Sequence, residues 1–425
     1  MQPLLDVLDL RLQDLPDGLG FESIDDEFQA LPEEGISEVH GRALQRQDPL
    51  TARPRGEIDK GRYEALRLSM LGKEHVPDDA EYAEHIPHGI VDEDDAYILT
   101  GGNAGNLYAQ IPGTIDKKPI LFCAHSDTVK PGKGIKPVIK DGIIYSDGTT
   151  ILGSDDKSGI AELITAIKDI IESGERHPPI EILITVSEEV GLLGAKHFNK
   201  SRLISAFGYA LDSHQVEELV IGAPAQNSIQ ITFWGKESHA GVEPEKGINA
   251  IRVAAEAIST MPLGRIDHET TSNIGLINGG IATNIVPNKV EVKGEARSHN
   301  GSKLEQVTSD MRHSVEQAVQ HFQYDFGGAS FDWKVNLEYE AFHIQESEPV
   351  VQIAIDAMHR IGLTPKITIG GGGSDANIIN ASGLPMIICG TGMNKVHTLN
   401  EEIEIEQLQK GKEFLKSLIR RYAEL

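Results

Sequence analysis

The sequence has little cysteine, too few basic residues to balance its acidic ones, and no long hydrophobic run. Its 425 residues include two cysteines, and 39 Lys and Arg residues stand against 65 Asp and Glu residues, a formal net charge of −26. Acidity of this degree argues against nucleic acid or an anionic membrane as the main partner. No apolar run approaches the roughly 18 residues that a membrane-spanning helix needs.

Cys123 and Cys389 each lie within an apolar run, LFCAH and MIICG, which is typical of buried thiols in a reducing compartment. The first residues carry acidic side chains where a signal peptide needs basic ones. We therefore expect a cytoplasmic protein of ordinary globular composition, with two or three domains from its length.

From about residue 101 the sequence alternates between strand-like and helix-like segments. Four short apolar, β-branched runs are long enough for strands and too short for helices: 119–125, 180–187, 207–212 and 385–390. Between the first two runs, 157–174 has helical periodicity and closes on a glycine. This alternation predicts an α/β fold around a mostly parallel sheet.

The stretch 226–341 has a different order, strand–helix–strand–strand–helix–strand, which is the ferredoxin-like βαββαβ pattern. We therefore predict one α/β domain that is interrupted by a smaller inserted domain. The predicted division is an unplaced acidic segment, a first part of the α/β domain, the inserted domain and a second part of the α/β domain: 1–95, 96–220, 221–341 and 342–425.

Acidic and imidazole side chains follow the predicted strands. In an open α/β sheet, ligands bind at the carboxyl ends of the strands. The residues found there, or just before the intervening helix, are His125, Asp127, Asp155, Glu188, Glu189, Asp212 and His397. No cysteine joins them, so the oxygen and nitrogen donors predict a divalent metal site, with zinc the leading candidate.

Each of these residues also has an ordinary structural explanation. A single histidine at a strand end is more often structural than a ligand, Asp155 suits a helix N-cap, and Glu188 with Glu189 suits the start of a solvated helix. An accidental placement of all of them at strand ends is a poorer explanation than a shared site.

The spacing within the motifs suggests separate roles. His125 and Asp127 are two residues apart, so in an extended segment Asp127 can accept the second imidazole N–H and orient the ring. Glu188 and Glu189 are adjacent and point differently, so one can bind metal while the other faces the substrate as general base.

The order of these motifs resembles the di-zinc peptidase T-like (tripeptidase) metallopeptidases, which are related to aminoacylases and glutamate-releasing carboxypeptidases. The motifs are His125-Ser126-Asp127-Thr128-Val129, Gly153-Ser154-Asp155-Asp156-Lys157-Ser158-Gly159, Ser187-Glu188-Glu189-Val190-Gly191 and Ala210-Leu211-Asp212. The resemblance runs from about Gly101 to the C-terminus. It implies a catalytic α/β domain and an inserted lid that often dimerises, which makes the lid a candidate surface for a homodimer.

Carried over by motif, the resemblance implies that His125 and Asp212 bind one zinc ion, that Glu189 and His397 bind the other, and that Asp155 bridges both. Cobalt and manganese are the alternative metals.

The same resemblance implies that Asp127 orients His125 and that Glu188 is the general base. A metal-bridging hydroxide would be the nucleophile, and Glu188 would pass its proton to the leaving amine.

Residues of the inserted domain resemble substrate contacts of the family. His239, in the motif ESHAG, corresponds to an imidazole that stabilises the oxyanion and often reaches a partner subunit's site; a surface loop histidine is the alternative. Asn284 and Arg297 resemble further substrate contacts, Arg297 for a carboxylate, although Arg297 also suits a surface strand.

The glycine run Gly370–Asp375 precedes a helix-like segment. Its backbone amides could cradle an anion, with Gly373 and Ser374 as substrate contacts; the alternative is a tight turn that allows close backbone approach. Tripeptidases carry an arginine in this motif for the peptide C-terminus, and Gly371 stands about there. This departure puts strict tripeptide selection in doubt and leaves hydrolysis untouched.

The N-terminal segment departs most from the family. Residues 1–100 hold 24 acidic and 9 basic residues, a net charge of −15, whereas the remaining 325 hold 41 and 30, a net of −11. Residues 58–62 resemble the start of the family's first helix, but 63–91 lack its apolar pattern. A reading-frame disruption and a divergent acidic extension both explain this. We do not expect His85 and His88 to bind metal.

The main functional hypothesis is a di-zinc aminopeptidase or tripeptidase that acts on short peptides. The first alternative is an N-acyl-amino-acid deacylase or related amidohydrolase that acts on acylated amino acids. The second is a non-catalytic metal- or peptide-binding homologue, against which the intact Glu188 beside a complete ligand set argues.

Overall fold

The computed structural model describes residues 90–102, 104–324 and 327–425. Residues 1–89 lie outside the described residues, and with them His85, His88 and nearly all of the unplaced N-terminal segment.

The strands of the described residues are numbered in chain order. They are β1 (Ile90–Glu93), β2 (Leu107–Ile111), β3 (Ile120–His125), β4 (Pro137–Lys140), β5 (Ile143–Ser146), β6 (Ile180–Thr185), β7 (Gly208–Ser213), β8 (Glu218–Val220), β9 (Gly222–Ala223), β10 (Ala225–Trp234), β11 (Gly264–Arg265), β12 (Thr270–Gly279), β13 (Lys289–Ser298), β14 (Gln323–Tyr324), β15 (Gly327–Gly328), β16 (Ser330–Tyr339), β17 (Phe342–His343), β18 (Lys366–Thr368), β19 (Met386–Gly390), β20 (Met393–Asn394) and β21 (Glu402–Glu404).

The α-helices of the same residues are α1 (Tyr97–Thr100), α2 (Ser154–Glu172), α3 (Leu193–His197), α4 (Ala250–Thr260), α5 (Gly301–His321), α6 (Pro349–Arg360), α7 (Asp375–Ala381) and α8 (Ile405–Glu424). Single 3₁₀ turns occupy Lys200–Arg202 and Pro244–Lys246. Among these helices, none combines the length and the apolar character needed to cross a membrane.

The largest sheet has eight strands in the order β1-β2-β6-β3-β7-β19-β8-β18. Strand β3 pairs in parallel with both β6 and β7, while β1, β2 and β6 pair antiparallel. Every residue of β3, β6 and β19 is buried, as expected for strands covered on both faces. This is the α/β arrangement with parallel central strands that the alternating segments predict.

The chain divides into two compact units. Unit 1 comprises the described residues up to Glu218 together with Ile353–Lys366 and Ile388–Leu425, and unit 2 comprises the described residues of Leu219–Gln352 and Ile367–Ile387.

Helix α2 packs against α8 within unit 1. Its buried residues Ile160, Leu163, Ile167 and Ile170 recur at intervals of three and four, so they form one apolar stripe along the helix. A second sheet of unit 1, in the order β20-β21-β5-β4, joins the C-terminal region to residues 137–146.

Unit 2 contains the predicted βαββαβ order as β10, α4, β12, β13, α5 and β16. Its antiparallel sheet has the order β11-β12-β13-β10-β16. Alternate residues Ile229, Ile231 and Phe233 of β10 are buried in one apolar cluster with residues of α4 and α5, so the helices cover one face of the sheet.

Candidate metal centre

The strand order of unit 1 brings the ends of three segments together. Because β3 lies between β6 and β7 and runs parallel to both, their carboxyl ends share one edge of the sheet. His125 is the last residue of β3, Asp212 lies one residue before the end of β7, and Glu188 and Glu189 follow β6.

His125 faces carboxylates with one ring nitrogen and the backbone with the other. Its ring is 2% exposed, and Nε2 lies 3.0 Å from Asp155 Oδ1 and 4.0 Å from Asp212 Oδ1. Nδ1 lies 3.0 Å from the backbone oxygen of Asp127. A carbonyl oxygen only accepts, so Nδ1 carries the proton and Nε2 is directed at the acidic groups.

The backbone oxygen of Asp127 lies closer to the His125 ring than the Asp127 carboxylate does. Its carboxylate Oδ1 is 3.6 Å from Nδ1, farther than its carbonyl oxygen, because the carboxylate accepts the backbone N–H groups of Glu188 at 2.9 Å and Glu189 at 3.2 Å. Asp127 therefore links the imidazole to the loop that carries both glutamates.

Asp155 divides its two carboxylate oxygens between two histidines. Oδ1 lies 3.0 Å from His125 Nε2, and Oδ2 lies 3.1 Å from His397 Nε2. The residue does not cap α2, because the N-cap position belongs to Gly153 and the backbone of Asp155 is non-helical. Burial would raise the pKa of Asp155, but hydrogen bonds from His125 and His397 lower it instead.

His397 meets Glu189 as well as Asp155. Its Nε2 lies 3.0 Å from Glu189 Oε1. Hydrogen bonds to Asp155 and then Glu189 raise the pKa of His397 to about 10. Burial lowers the pKa of His125, but hydrogen bonds to Asp127 and Asp155 outweigh it and raise that pKa well above the ordinary value.

The donor set fits divalent metal. Single donor atoms of His125, Asp155 and Glu189 all lie within 4.8 Å of one another. A proton on each Nε2 satisfies the imidazole–carboxylate contacts, and a divalent cation bound by the same nitrogens and oxygens satisfies them equally. Nitrogen and carboxylate donors without thiolate suit zinc and also cobalt or manganese; Cys123 and Cys389 are buried inside β3 and β19.

Two residues that support these loops, Asn106 and Glu401, are not identified by any pattern in the sequence. The Asn106 side chain accepts from Val186 N at 3.1 Å and donates to Gly194 O at 2.9 Å, which ties together the two ends of the loop carrying Glu188 and Glu189. Glu401 accepts hydrogen bonds from the segment that carries Asp155. Their partners lie 80 to 249 residues away in sequence, so local spacing contains no signal for either.

The predicted substrate residues lie in unit 2. His239 and Asn284 are both exposed. Their segments are adjacent, because Ala240 N donates to Asn284 O at 2.9 Å and His239 forms an isolated antiparallel β-bridge with Ile285.

Arg297 and the glycine run also meet within unit 2. Glu295 accepts both Nε and Nη2 of Arg297, at 3.1 and 3.0 Å, which fixes the guanidinium. Arg297, Gly370 and Gly371 line a cleft of about 780 Å³. A Cβ on Gly373 would lie 2.2 Å from the ring of Tyr339, and Ser374 is the N-cap of α7. Gly373 and Ser374 thus have the close-approach and capping roles of a turn.

Comparisons with known proteins show that the chain is similar to peptidases. The model for "Peptidase family M20/M25/M40" matches residues 121–421. The protein YqjE of Bacillus subtilis (strain 168) is 44% identical over 330 residues, which cover 77% of this chain and 88% of YqjE. Peptidase T of Clostridium novyi (strain NT) is 29% identical over 300 residues, 69% of this chain and 72% of the relative.

Two solved structures are similar in fold and sequence. The aminopeptidase PepT from Bacillus cereus ATCC 10987 has a TM-score of 0.72 and 41% identity, and the match covers 87% of this chain and 100% of PepT. A tripeptidase from Staphylococcus aureus subsp. aureus Mu50 has a TM-score of 0.75 and 39% identity, over 82% of this chain and 92% of that structure.

Proposed function

The chain belongs to peptidase family M20/M25/M40 as a peptidase T-like metallopeptidase, and we propose that it hydrolyses short peptides at a centre of two divalent metal ions. The family, the class of enzyme and the α/β fold predicted from the sequence are confirmed by these similarities. We further propose the number and identity of the metals, the roles of individual residues and the choice of substrate.

The observation that carries the proposal is the divided carboxylate of Asp155. One oxygen faces His125 and the other faces His397, each at hydrogen-bonding distance. A carboxylate between two imidazoles suits a bridging ligand, with His125 and Asp212 completing one position and Glu189 and His397 completing the other.

Zinc is the proposed metal, with cobalt and manganese as alternatives that the same donors accept. Bound in this centre, the metal would polarise the scissile carbonyl and make water a nucleophile near neutral pH.

Glu188 is the proposed general base. Its side chain is buried, at 8% exposure, and its backbone N–H is held by Asp127, so it is fixed beside the proposed ligand Glu189. Glu188 takes one proton from the attacking water as the new C–O bond forms. It returns that proton to the amide nitrogen as the C–N bond breaks, which releases a neutral amine and a carboxylic acid.

Unit 2 is proposed to recognise the substrate. His239 would stabilise the oxyanion and its neighbour Asn284 would contact the substrate. The fixed guanidinium of Arg297 would bind a carboxylate at the cleft. Gly371 lines the same cleft without a side chain, which leaves room for substrates other than tripeptides. That observation keeps hydrolysis of N-acyl amino acids as the second candidate function.

The division into 1–95, 96–220, 221–341 and 342–425 remains a prediction, as do the cytoplasmic location and the homodimer. The cytoplasmic location is supported by the two cysteines, which are buried free thiols.

The homodimer is supported by an apolar surface on β12. Leu276 and Ile277 are 65% and 55% exposed and lie beyond the two residues of β12 that pair with β11, so this surface suits a second copy of the chain.

An assay of tripeptides, dipeptides and N-acyl amino acids, before and after chelation and with zinc restored, tests the function. We expect peptide cleavage that chelator abolishes and zinc restores. Glu188→Gln should keep its metal content while losing at least about a hundredfold in kcat. Zinc-loaded protein that cleaves none of these substrates, or a Glu188→Gln variant with unchanged turnover, would refute the proposal.

A further inference from the structure

Glu401 has a buried carboxylate whose described side-chain hydrogen bonds all come from residues 152–155. It is 1% exposed. Its Oε2 accepts Leu152 N and Gly153 N, both at 2.8 Å, and its Oε1 accepts Ser154 Oγ at 2.7 Å and Asp155 N at 3.1 Å. Four donors from four consecutive residues thus converge on a single side chain.

This segment has an irregular backbone that needs such a partner. Gly153 has a φ of +73°, and Asp155 has φ −84° and ψ 103°, outside the helical region. Backbone N–H groups ahead of the regular part of a helix have no intrahelical acceptor. A carboxylate at this end satisfies them and is also favoured by the helix dipole.

Glu401 reaches the segment through strand pairing between distant parts of unit 1. β21 begins at the next residue and pairs with β5, with Glu402 opposite Tyr145 and Ile403 opposite Ile144. The chain therefore passes residues 152–155 four residues after His397, and Glu401 N donates to Thr398 O at 3.1 Å in the intervening turn.

We propose that Glu401 is a positioning residue that holds Asp155 and the His397 segment in register, so that the two oxygens of Asp155 stay divided between His125 and His397. The inference rests on the proposed function, since it concerns the ligands assigned there. Glu401 is not itself among the proposed ligands, and it acts through the backbone N–H groups of Leu152, Gly153 and Asp155 and the hydroxyl of Ser154.

The two metal positions should depend on Glu401 unequally. His125 and Asp212 are held by the strands β3 and β7. His397 lies outside any strand or helix, with half of its side chain exposed, and Asp155 lies in the segment that Glu401 fixes. The position that combines His397, Asp155 and Glu189 therefore has two ligands that rely on Glu401.

Glu401→Gln tests the inference because a side-chain amide nitrogen cannot accept a backbone N–H. Zinc titration of apoprotein by calorimetry should give two equivalents in the parent. In Glu401→Gln one equivalent should lose about 10- to 100-fold in affinity, the usual effect of removing a partner that orients ligands, and the other should change less. Turnover lost at limiting zinc should return at excess zinc, with KM little changed.

Glu402→Gln is the matched control. Glu402 is the adjacent residue of the same segment. Its side chain is 15% exposed and pairs with the exposed Lys395 at 2.8 Å, without contact to residues 152–155 among its described bonds. The Glu402→Gln variant should bind both equivalents of zinc with the affinities of the parent.

The outcomes separate the two proposals. A parent protein that binds none of zinc, cobalt and manganese refutes the proposed function. A parent that binds two equivalents, with Glu401→Gln binding both equally well, overturns the inference alone, as does equal weakening in Glu402→Gln. If Glu401→Gln does not fold by circular dichroism, Ser154→Ala removes one donor to the same carboxylate. Weaker binding of one equivalent then supports the inference, and parental affinity for both overturns it.

Discussion

Glu162 is a carboxyl group buried in α2 where that helix packs on α8. It is 1% exposed, its Oε1 has no hydrogen-bond partner among the described residues, and a Cβ on Gly411 of α8 would lie 2.2 Å from its Oε2. Burial, and after it the charge of Asp156, raises the pKa of Glu162 well above its ordinary value of 4.5. The folded protein therefore keeps Glu162 protonated at a pH where the unfolded chain has lost the proton.

The sign of the pH effect follows from that difference. Below pH 4.5, the ordinary pKa, both states hold the proton and its contribution to stability is fully present. Above it the unfolded state binds fewer protons, so the free energy of unfolding falls by about 1.4 kcal/mol per pH unit until the folded pKa is passed. The parent should therefore be less stable above pH 4.5 than below it, and the loss should grow with pH until the folded pKa is reached.

Glu162→Gln removes this titration, so its stability should fall less steeply with pH than that of the parent. Both tryptophans, Trp234 and Trp333, lie in unit 2, so their fluorescence does not report on α2. Amide hydrogen exchange of α2 between about pH 5 and pH 7, corrected for intrinsic exchange, does report on it. Glu172→Gln, at an exposed position of the same helix, is the control and should keep the parental slope.

The slope is the decisive quantity, because the glutamine amide brings buried donors of its own and can shift the absolute stability in either direction. Parallel slopes in the parent and Glu162→Gln would show that Glu162 titrates alike in both states and would refute the reasoning. A slope changed equally by Glu172→Gln would assign the effect to the charge of α2 in general.

Three further substitutions test close packing and loop support. Gly411→Ala should destabilise α8 by roughly 1–3 kcal/mol through its clash with Glu162, where an unobstructed helix glycine would gain about 1 kcal/mol; slower exchange in α8 would contradict this. Asn106→Ala leaves buried partners unsatisfied and should cost roughly 2–4 kcal/mol, seen as a lower melting temperature by circular dichroism; an unchanged melt would contradict it. Gly373→Ala should lower the urea midpoint of tryptophan fluorescence, because its Cβ meets Tyr339; an unchanged midpoint would count against that contact.

The fold is accessible from the sequence because its signals are local. The buried run Ile120–His125 is too short for a helix and apolar on both faces, and the stripe of Ile160, Leu163 and Ile167 repeats at helical intervals. The positions of the strand ends then predict where the site residues lie, because the carboxyl ends of parallel strands meet at one edge of the sheet. That rule alone brings His125 beside the loop that follows β6.

The glycine run shows where local reasoning is ambiguous. Gly373 and Ser374 before a helix suit an anion site and a capped turn equally well by sequence. The structure shows a Ser374–Asn377 capping box and the Tyr339 ring against Gly373. The ring of Tyr339 belongs to β16, which is distant in sequence, so no spacing within the glycine run could reveal this contact.

The loops that carry the proposed ligands are held by side-chain acceptors bound to backbone N–H groups. Such loops lack ladder partners, and a buried unpaired N–H is costly, so side chains from elsewhere in the chain satisfy them. The acceptors are Asp127 on Glu188 and Glu189, Asp156 on His125, Asn106 on Val186, and Glu401 on Leu152, Gly153 and Asp155. These hydrogen bonds therefore help to order the loops that carry the proposed ligands. Metal affinity should consequently depend on residues that never contact metal, and their spacing in sequence contains no trace of that dependence.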